Sequence, residues 1–159
     1  MAVNLKITVE GEKQLADAFG LFGNRVRDLR PYWPQVAGRF YEHERATFDS
    51  GGFGSWAPLS PRYARYKARM FPSTAILERT GNLRRSLTSR STPNSIYREA
   101  PLSLELGSTV RYGTYHQEGG GRVKRRPPII VTPELQAGIG EVIQLGLGRT
   151  AADLGFTVK

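Results

Sequence analysis

Residues 53–87 read FGSWAPLSPRYARYKARMFPSTAILERTGNLRRSL, and the order of Trp, Pro, Gly and Arg in this stretch decides how the chain divides. Ser60-Pro61 predicts a helix start. The serine hydroxyl can accept from a free N–H of the first turn, and proline at the first helical position gives up an N–H that has no partner anyway. A basic helix is expected over residues 61–70, stopped by Phe71-Pro72. Tyr63, Tyr66 and Met70 fall at helical spacing and are expected to face inward, with Arg62, Arg65, Lys67 and Arg69 on the remaining surface. Thr80-Gly81 breaks the chain again, and Gly81 is expected at positive φ. Asn82 to Leu87 then makes one or two turns, with Leu83 and Leu87 on one face and Arg84 and Arg85 on the other.

Upstream, Gly51, Gly52 and Gly54 make residues 49–55 a loop, so Trp56 has to anchor the segment after it. A helix is expected from Pro34 to Phe48, where Val36, Ala37, Phe40, Tyr41 and Phe48 gather on one side. An earlier amphipathic helix runs from Glu12 towards Pro31 through Leu15, Ala18, Phe19, Phe22, Val26 and Leu29. Within it, Gly20 and Gly23 are read as sites of close packing or of a bend. Leu5, Ile7 and Val9 alternate with Lys6 and Thr8, the period of a half-buried strand over residues 4–9.

Downstream, Leu102-Ser103-Leu104-Glu105-Leu106 alternates as a strand, with Ile96 to Arg98 as its hairpin partner. Val110 to Gln117 reads equally as strand or short helix. Gly119-Gly120-Gly121 with Arg122, Lys124, Arg125 and Arg126 reads as a mobile basic loop, and Ile129 to Val131 as a buried strand. Thr132-Pro133 caps a last helix over residues 133–155, in which Leu135, Ile139, Val142, Ile143 and Gly146 share a face and Glu134 sits at the positive end. The expected architecture is a single α+β domain over residues 1–159, a small mostly antiparallel sheet of about four strands packed by two or three longer helices.

Composition narrows the chemistry. A chain of 159 residues with 39% hydrophobic content suits one modest core. With no cysteine and only His43 and His116, a structural metal is not expected. No window holds the roughly 18 apolar residues of a membrane span, and the first residues lack a basic start followed by an apolar block, so no membrane partner and no export are expected. His43-Glu44 begins a zinc-protease pattern, but Thr47 stands where the second histidine would be needed. Residues 51–55 lack the Lys-Ser/Thr ending of a phosphate loop, and Gly146-Leu147-Gly148 does not follow a strand, so no nucleotide cofactor is expected. Ser60, Ser86 and His116 form no recognisable nucleophile and base pair, and no paired acids at a hydrolase spacing stand in the central tract. Tyr112 and Tyr115 beside His116 read as a packed aromatic cluster.

The net charge of +9 is concentrated in the centre. Residues 51–100 carry nine Lys/Arg against two Asp/Glu, while residues 1–50 carry seven of each and residues 101–159 seven against five. Such a field suits nucleic acid or an acidic protein surface. Arginine and aromatic residues are also what protein interfaces enrich, so Trp56, Tyr63 and the arginines at 62, 65, 84 and 85 fit an interface as well as they fit single-stranded nucleic acid.

Three motifs carry a resemblance. Trp56-Ala57-Pro58-Leu59-Ser60-Pro61 with Lys67, then ILERTGNLRRSL at 76–87, then Tyr112-Gly113-Thr114-Tyr115-His116-Gln117-Glu118-Gly119, in that order, resemble the bacteriophage virion morphogenesis family of Mu-like phages. The resemblance implies a structural virion protein of tail completion, at the neck or tail end, forming a ring around the DNA channel, with no enzymatic activity and no cofactor. It implies assembly in the host cytoplasm and partners among its own copies (six by analogy), neighbouring head-tail connector, tail terminator or tail tube proteins, and nonspecifically the packaged DNA. The motif residues carried over are Trp56, Pro58, Leu59, Ser60, Pro61, Thr80, Gly81, Leu83, Arg84, Arg85, Tyr112, His116, Gln117 and Gly119. Trp56 and Pro58 to Pro61 are expected as a rigid anchor, with the loops at 51–54 and 119–126 free until assembly. The last 25 or so residues depart from the family pattern, since Pro127 to Val131 lead into a further helix.

Overall fold

Seven side chains of one helix organise the core. In the computed structural model, which describes residues 12–120 and 123–156, the helix Trp33–Asp49 (α2, following α1 at Glu12–Val26) buries Trp33, Val36, Ala37, Phe40, Glu44, Thr47 and Phe48. Their three- and four-residue spacing is the signature of a single helix face. A short 3-10 turn at Arg30–Tyr32 joins α1 to α2, so α1 ends earlier than the periodicity predicts. The strand expected at residues 4–9 lies outside the described residues.

Two further helices follow the turn chemistry of the central tract, Pro61–Met70 (α3) and Asn82–Thr88 (α4), and a third, Arg111–Glu118 (α5), comes after a hairpin. Ser60 caps α3 by accepting from the Tyr63 N–H at 3.4 Å, and Gly81 precedes α4 at φ 70°. The antiparallel hairpin of Ser95–Ala100 (β1) and Ser103–Ser108 (β2) pairs Ser95 with Ser108 and Ala100 with Ser103. Its turn is pinned to α2 and the preceding segment. The Trp33 indole N–H donates to the Ala100 carbonyl at 2.8 Å, and the Leu29 N–H donates to Pro101 O at 2.7 Å. Pro133–Asp153 (α6) closes the described chain, capped by the Thr132 hydroxyl, which accepts from Leu135 N–H.

One apolar cluster joins Phe40 and Phe48 of α2 to Trp56, Leu83 and Leu87 of α4, and Leu135 of α6. A second holds Trp33, Val36 and Val142. Each fully buried Leu of α4 contributes about 1.5–3 kcal/mol through desolvation, enough to fix so short a helix that would be unstable alone. One turn beyond Val142 on α6, Gly146 lets the Tyr32 ring approach the helix, and a Cβ there would stand 2.5 Å from Cδ1 of that ring. The Tyr32 hydroxyl then reaches Gly146 O at 3.2 Å and Thr150 Oγ1 at 2.7 Å.

The class is α+β, but the sheet among the described residues has two strands and not about four. Residues 129–131 lie outside any helix or strand, with Val131 exposed. The preceding Pro127-Pro128 offers no N–H to a neighbouring strand, and side chains take the place of a ladder partner. Other expectations also change. Tyr63, Tyr66 and Met70 are exposed, and the buried side chain of α3 is Lys67. Among the described residues, Gly20 and Gly23 have no neighbour within 4 Å of an added Cβ, so close packing against those residues does not explain them. The 51–54 turn is held by Gly52 N–H to Thr47 O at 2.7 Å and Trp56 N–H to Gly51 O at 3.1 Å, with Gly51, Gly52, Phe53 and Gly54 all at positive φ. It is a built turn and not a free loop.

Candidate assembly interface

The three sequence motifs, separated along the chain, meet around the segment that was expected to be a loose basic loop. Trp56 packs edge-on against Phe48 at 5.4 Å between ring centroids, and its indole N–H donates to Pro127 O at 2.9 Å. Arg126 is only 7% exposed. Its Nε donates to Ala57 O at 2.6 Å and one terminal nitrogen to Pro58 O at 2.9 Å, while its own N–H donates to His116 O at 2.9 Å. A guanidinium fork suits two neighbouring carbonyls because its donors are coplanar and fixed.

Gln117 clamps the next residues. Its side-chain amide donates to Ile129 O at 2.9 Å and accepts from Ile129 N–H at 3.1 Å, reproducing the two bonds of a ladder pair. His43 adds a bond of 2.7 Å to Ile130 O from α2 and lies near Phe53, so it is a pin between segments. Gly119 ends α5 at φ 75° and brings its backbone against Arg125, a Cβ being 3.0 Å from that of Arg125. Gly113 lets α5 approach α4 closely, with Leu83 Cδ1 3.0 Å from where its Cβ would be.

The central motif is tied by charge. Arg84 bridges Glu78 at 2.6 Å and Asp49 at 2.5 Å, joining the 76–87 segment to the end of α2. Arg85 stays exposed, donating to Asn82 Oδ1 at 2.5 Å, and the Thr80 and Tyr112 hydroxyls stand 3.5 Å apart. Tyr112 meets His116 edge-on at 6.3 Å, but Tyr115 points to solvent, so the expected aromatic cluster is half formed. Among the described residues, His116 Nδ1 is buried without a hydrogen-bond partner; burial, and then the Arg126 charge, hold its pKa below the ordinary histidine value.

Between the motifs lies a cleft of about 540 Å³, lined by Leu59, Tyr63, Ile76, Leu77, Tyr112 and His116 among others, with Lys67, Arg79, Lys124 and Arg126 supplying its positive charges. Of the motif residues, Pro58, Leu59, Ser60, Thr80, Tyr112 and His116 line this cleft; Trp56 and Leu83 are core, and Arg84 is neutralised within the chain. Arg126 was missed by sequence reasoning. It sits in a run of four basic residues within five positions, and only the following Pro127-Pro128, which biases it to extended backbone, sets it apart.

A profile of the phage virion morphogenesis family matches residues 11–143, well over half the chain. The chain belongs to that family. The match spans all three motifs and the clamp around Arg126, and it ends within α6, so the last turns of this phage virion morphogenesis protein lie beyond it. No curated protein and no solved structure matches the chain. Membership fits a component of the virion, and no helix among the described residues is long and apolar enough to cross a membrane.

Proposed function

We propose that this protein completes the phage tail at the neck or tail end, where copies of it form a ring around the DNA channel and join head to tail. The observation that carries the reading, beside family membership, is α3. It is a ten-residue helix with one buried side chain, and it presents Tyr63, Tyr66 and Met70 on its surface with the two tyrosine rings 6.0 Å apart. An aromatic and methionine stripe of this kind, framed by arginines, has the composition of an interface core. A ring subunit needs two different contact faces, and an arm fixed at its base by the motif clamp supplies one of them. Six copies follow from analogy with the symmetry of such tails.

The test is complementation of a phage lacking this gene, scored by electron microscopy of the particles. Tyr66→Asp combined with Met70→Asp is expected to leave the purified protein folded, because neither side chain is buried, and to yield separate heads and tails. Normal joining with this variant overturns the reading. A second reading, contact with packaged DNA, is favoured by the exposed Arg62, Arg65 and Arg69 of α3. It requires DNA affinity that falls steeply with salt and disappears when these arginines become glutamate.

A further inference from the structure

Lys67 and Arg126 are buried cations without a counter-ion among the described residues. Lys67 is 5% exposed and Arg126 7%, and neither is within salt-bridge distance of a carboxylate among the described residues. The Lys67 ammonium has three donors and uses one, to Ala75 O; the Arg126 guanidinium has five and uses two, to Ala57 O and Pro58 O. Glu78 is the carboxylate whose charge Lys67 feels, and it is engaged by Arg84 at 2.6 Å. Burying an unpaired charge is unfavourable, so a chain that holds two at one place gains when an anion arrives there.

Both cations line the same cleft, with Arg79 and Lys124 exposed at its rim and no carboxylate among the described residues of the lining. Most of the remaining wall is apolar or aromatic, from Leu59, Tyr63, Ile76, Leu77, Tyr112 and Val123, and Ser60, Thr80 and His116 add uncharged polar groups. We propose that the cleft is a docking site for an acidic segment of a partner protein, whose carboxylates meet Lys67, Arg126, Arg79 and Lys124 while its apolar side chains cover Leu59 and Leu77. The choice of a protein partner rests on the assembly reading; the site itself rests on the geometry. Charge complementarity favours an acidic occupant over a second copy of this basic chain. The concave apolar wall favours a peptide over duplex DNA, whose phosphates lie on a convex surface and cannot reach buried groups. The arginines of α3 that suit DNA, Arg62, Arg65 and Arg69, lie outside the cleft.

The experiment is fluorescence anisotropy on the purified full-length protein with a fluorescein-labelled short peptide of alternating glutamate and leucine. Controls are the same peptide with glutamine for glutamate, and a labelled single-stranded oligothymidylate. Saturable binding of the acidic peptide is expected, weakened about tenfold or more by the glutamine exchange and by Arg79→Glu or Lys124→Glu at the rim. Lys67→Met keeps the aliphatic stem, and is expected to raise the thermal midpoint while weakening the peptide. If that variant misfolds, the exposed rim variants carry the test. No saturable binding, equal affinity for the glutamine peptide, unchanged affinity in both rim variants, or tighter binding of oligothymidylate at the same site each overturns the proposal. Any of these results leaves the particle experiment standing, because peptide binding is read on isolated protein.

Discussion

Trp56 donates its indole N–H to the carbonyl oxygen of Pro127 across 2.9 Å, linking positions 71 residues apart. The ring that makes this bond also fills the corner between Phe48 and the buried Gly52, whose missing side chain leaves room for the indole. Two separate losses are therefore available. Trp56→Phe removes the bond and part of the volume, and is expected to destabilise the fold by about 1–2 kcal/mol. Trp56→Ala removes the ring, and about 3–5 kcal/mol is expected. Urea denaturation of both variants checks the order; a Trp56→Ala protein as stable as wild type refutes the internal role given to this residue.

Arg126 holds the first motif through two carbonyls that a lysine ammonium, a point charge on a flexible stem, cannot bind with the same fork. Arg126→Lys is expected to lose about 1–2 kcal/mol despite keeping the charge. Amide exchange measured by mass spectrometry should accelerate in residues 56–61 and in 127–131 together, because the same residue steadies both. Exchange that accelerates only around position 126 counts against the coupling.

Gly146 and Tyr32 form a pair that can be tested by a double-mutant cycle. A methyl at 146 meets the Tyr32 ring at 2.5 Å, so Gly146→Ala is expected to destabilise by about 1–3 kcal/mol through overpacking, although alanine is the better helix former. Gly148→Ala has nothing among the described residues within 4 Å of the new Cβ and is expected to stabilise by up to about 1 kcal/mol. Adding Tyr32→Ala to Gly146→Ala should remove most of the Gly146→Ala effect. Additivity of the two changes in thermal denaturation contradicts the contact.

The sequence made local structure legible wherever a backbone rule was enforced by one residue. Ser60-Pro61 sets the start of α3, Gly81 the left-handed entry to α4, Thr132-Pro133 the start of α6, and the alternation at 102–106 the core of β2. Inference failed over which side of an element is covered. Tyr63, Tyr66 and Met70 have the spacing of a buried face, yet α3 stands out from the core, and periodicity does not say whether a face meets the chain's own core or a partner. Ile129 to Val131 looks like a strand because an extended apolar segment has the same composition whether a strand or side chains satisfy its backbone. Gln117 and His43 do so here, from positions 12 and 87 residues away. Of the site, the three motifs were visible as motifs, but their closure around Arg126 was not, since a buried arginine and a solvated one read alike in a basic run.

Glu44 makes stability depend on pH. It is fully buried on α2, neither carboxylate oxygen has a hydrogen-bond partner among the described residues, and burial raises its pKa from 4.5 to about 8. The folded protein therefore holds a proton on Glu44 through a range in which the unfolded chain has released it. The stability this contributes is complete below the unfolded value of 4.5 and is lost progressively as pH rises to about 8. His116 acts in the opposite sense. Its lowered pKa gives a contribution that is complete above 6.5 and lost as pH falls, so the two slopes oppose each other at acid pH. From pH 6.5 to about 8 the Glu44 slope stands alone of the two, and a loss on the order of 2 kcal/mol is expected over that interval. Glu44→Gln, close in shape and without a titrating proton, should flatten the profile there and leave the variant more stable than wild type at pH 8 and above. Chemical denaturation at a series of pH values reads both effects, and a wild-type profile already flat above pH 6.5 shows that Glu44 is ionised in the fold.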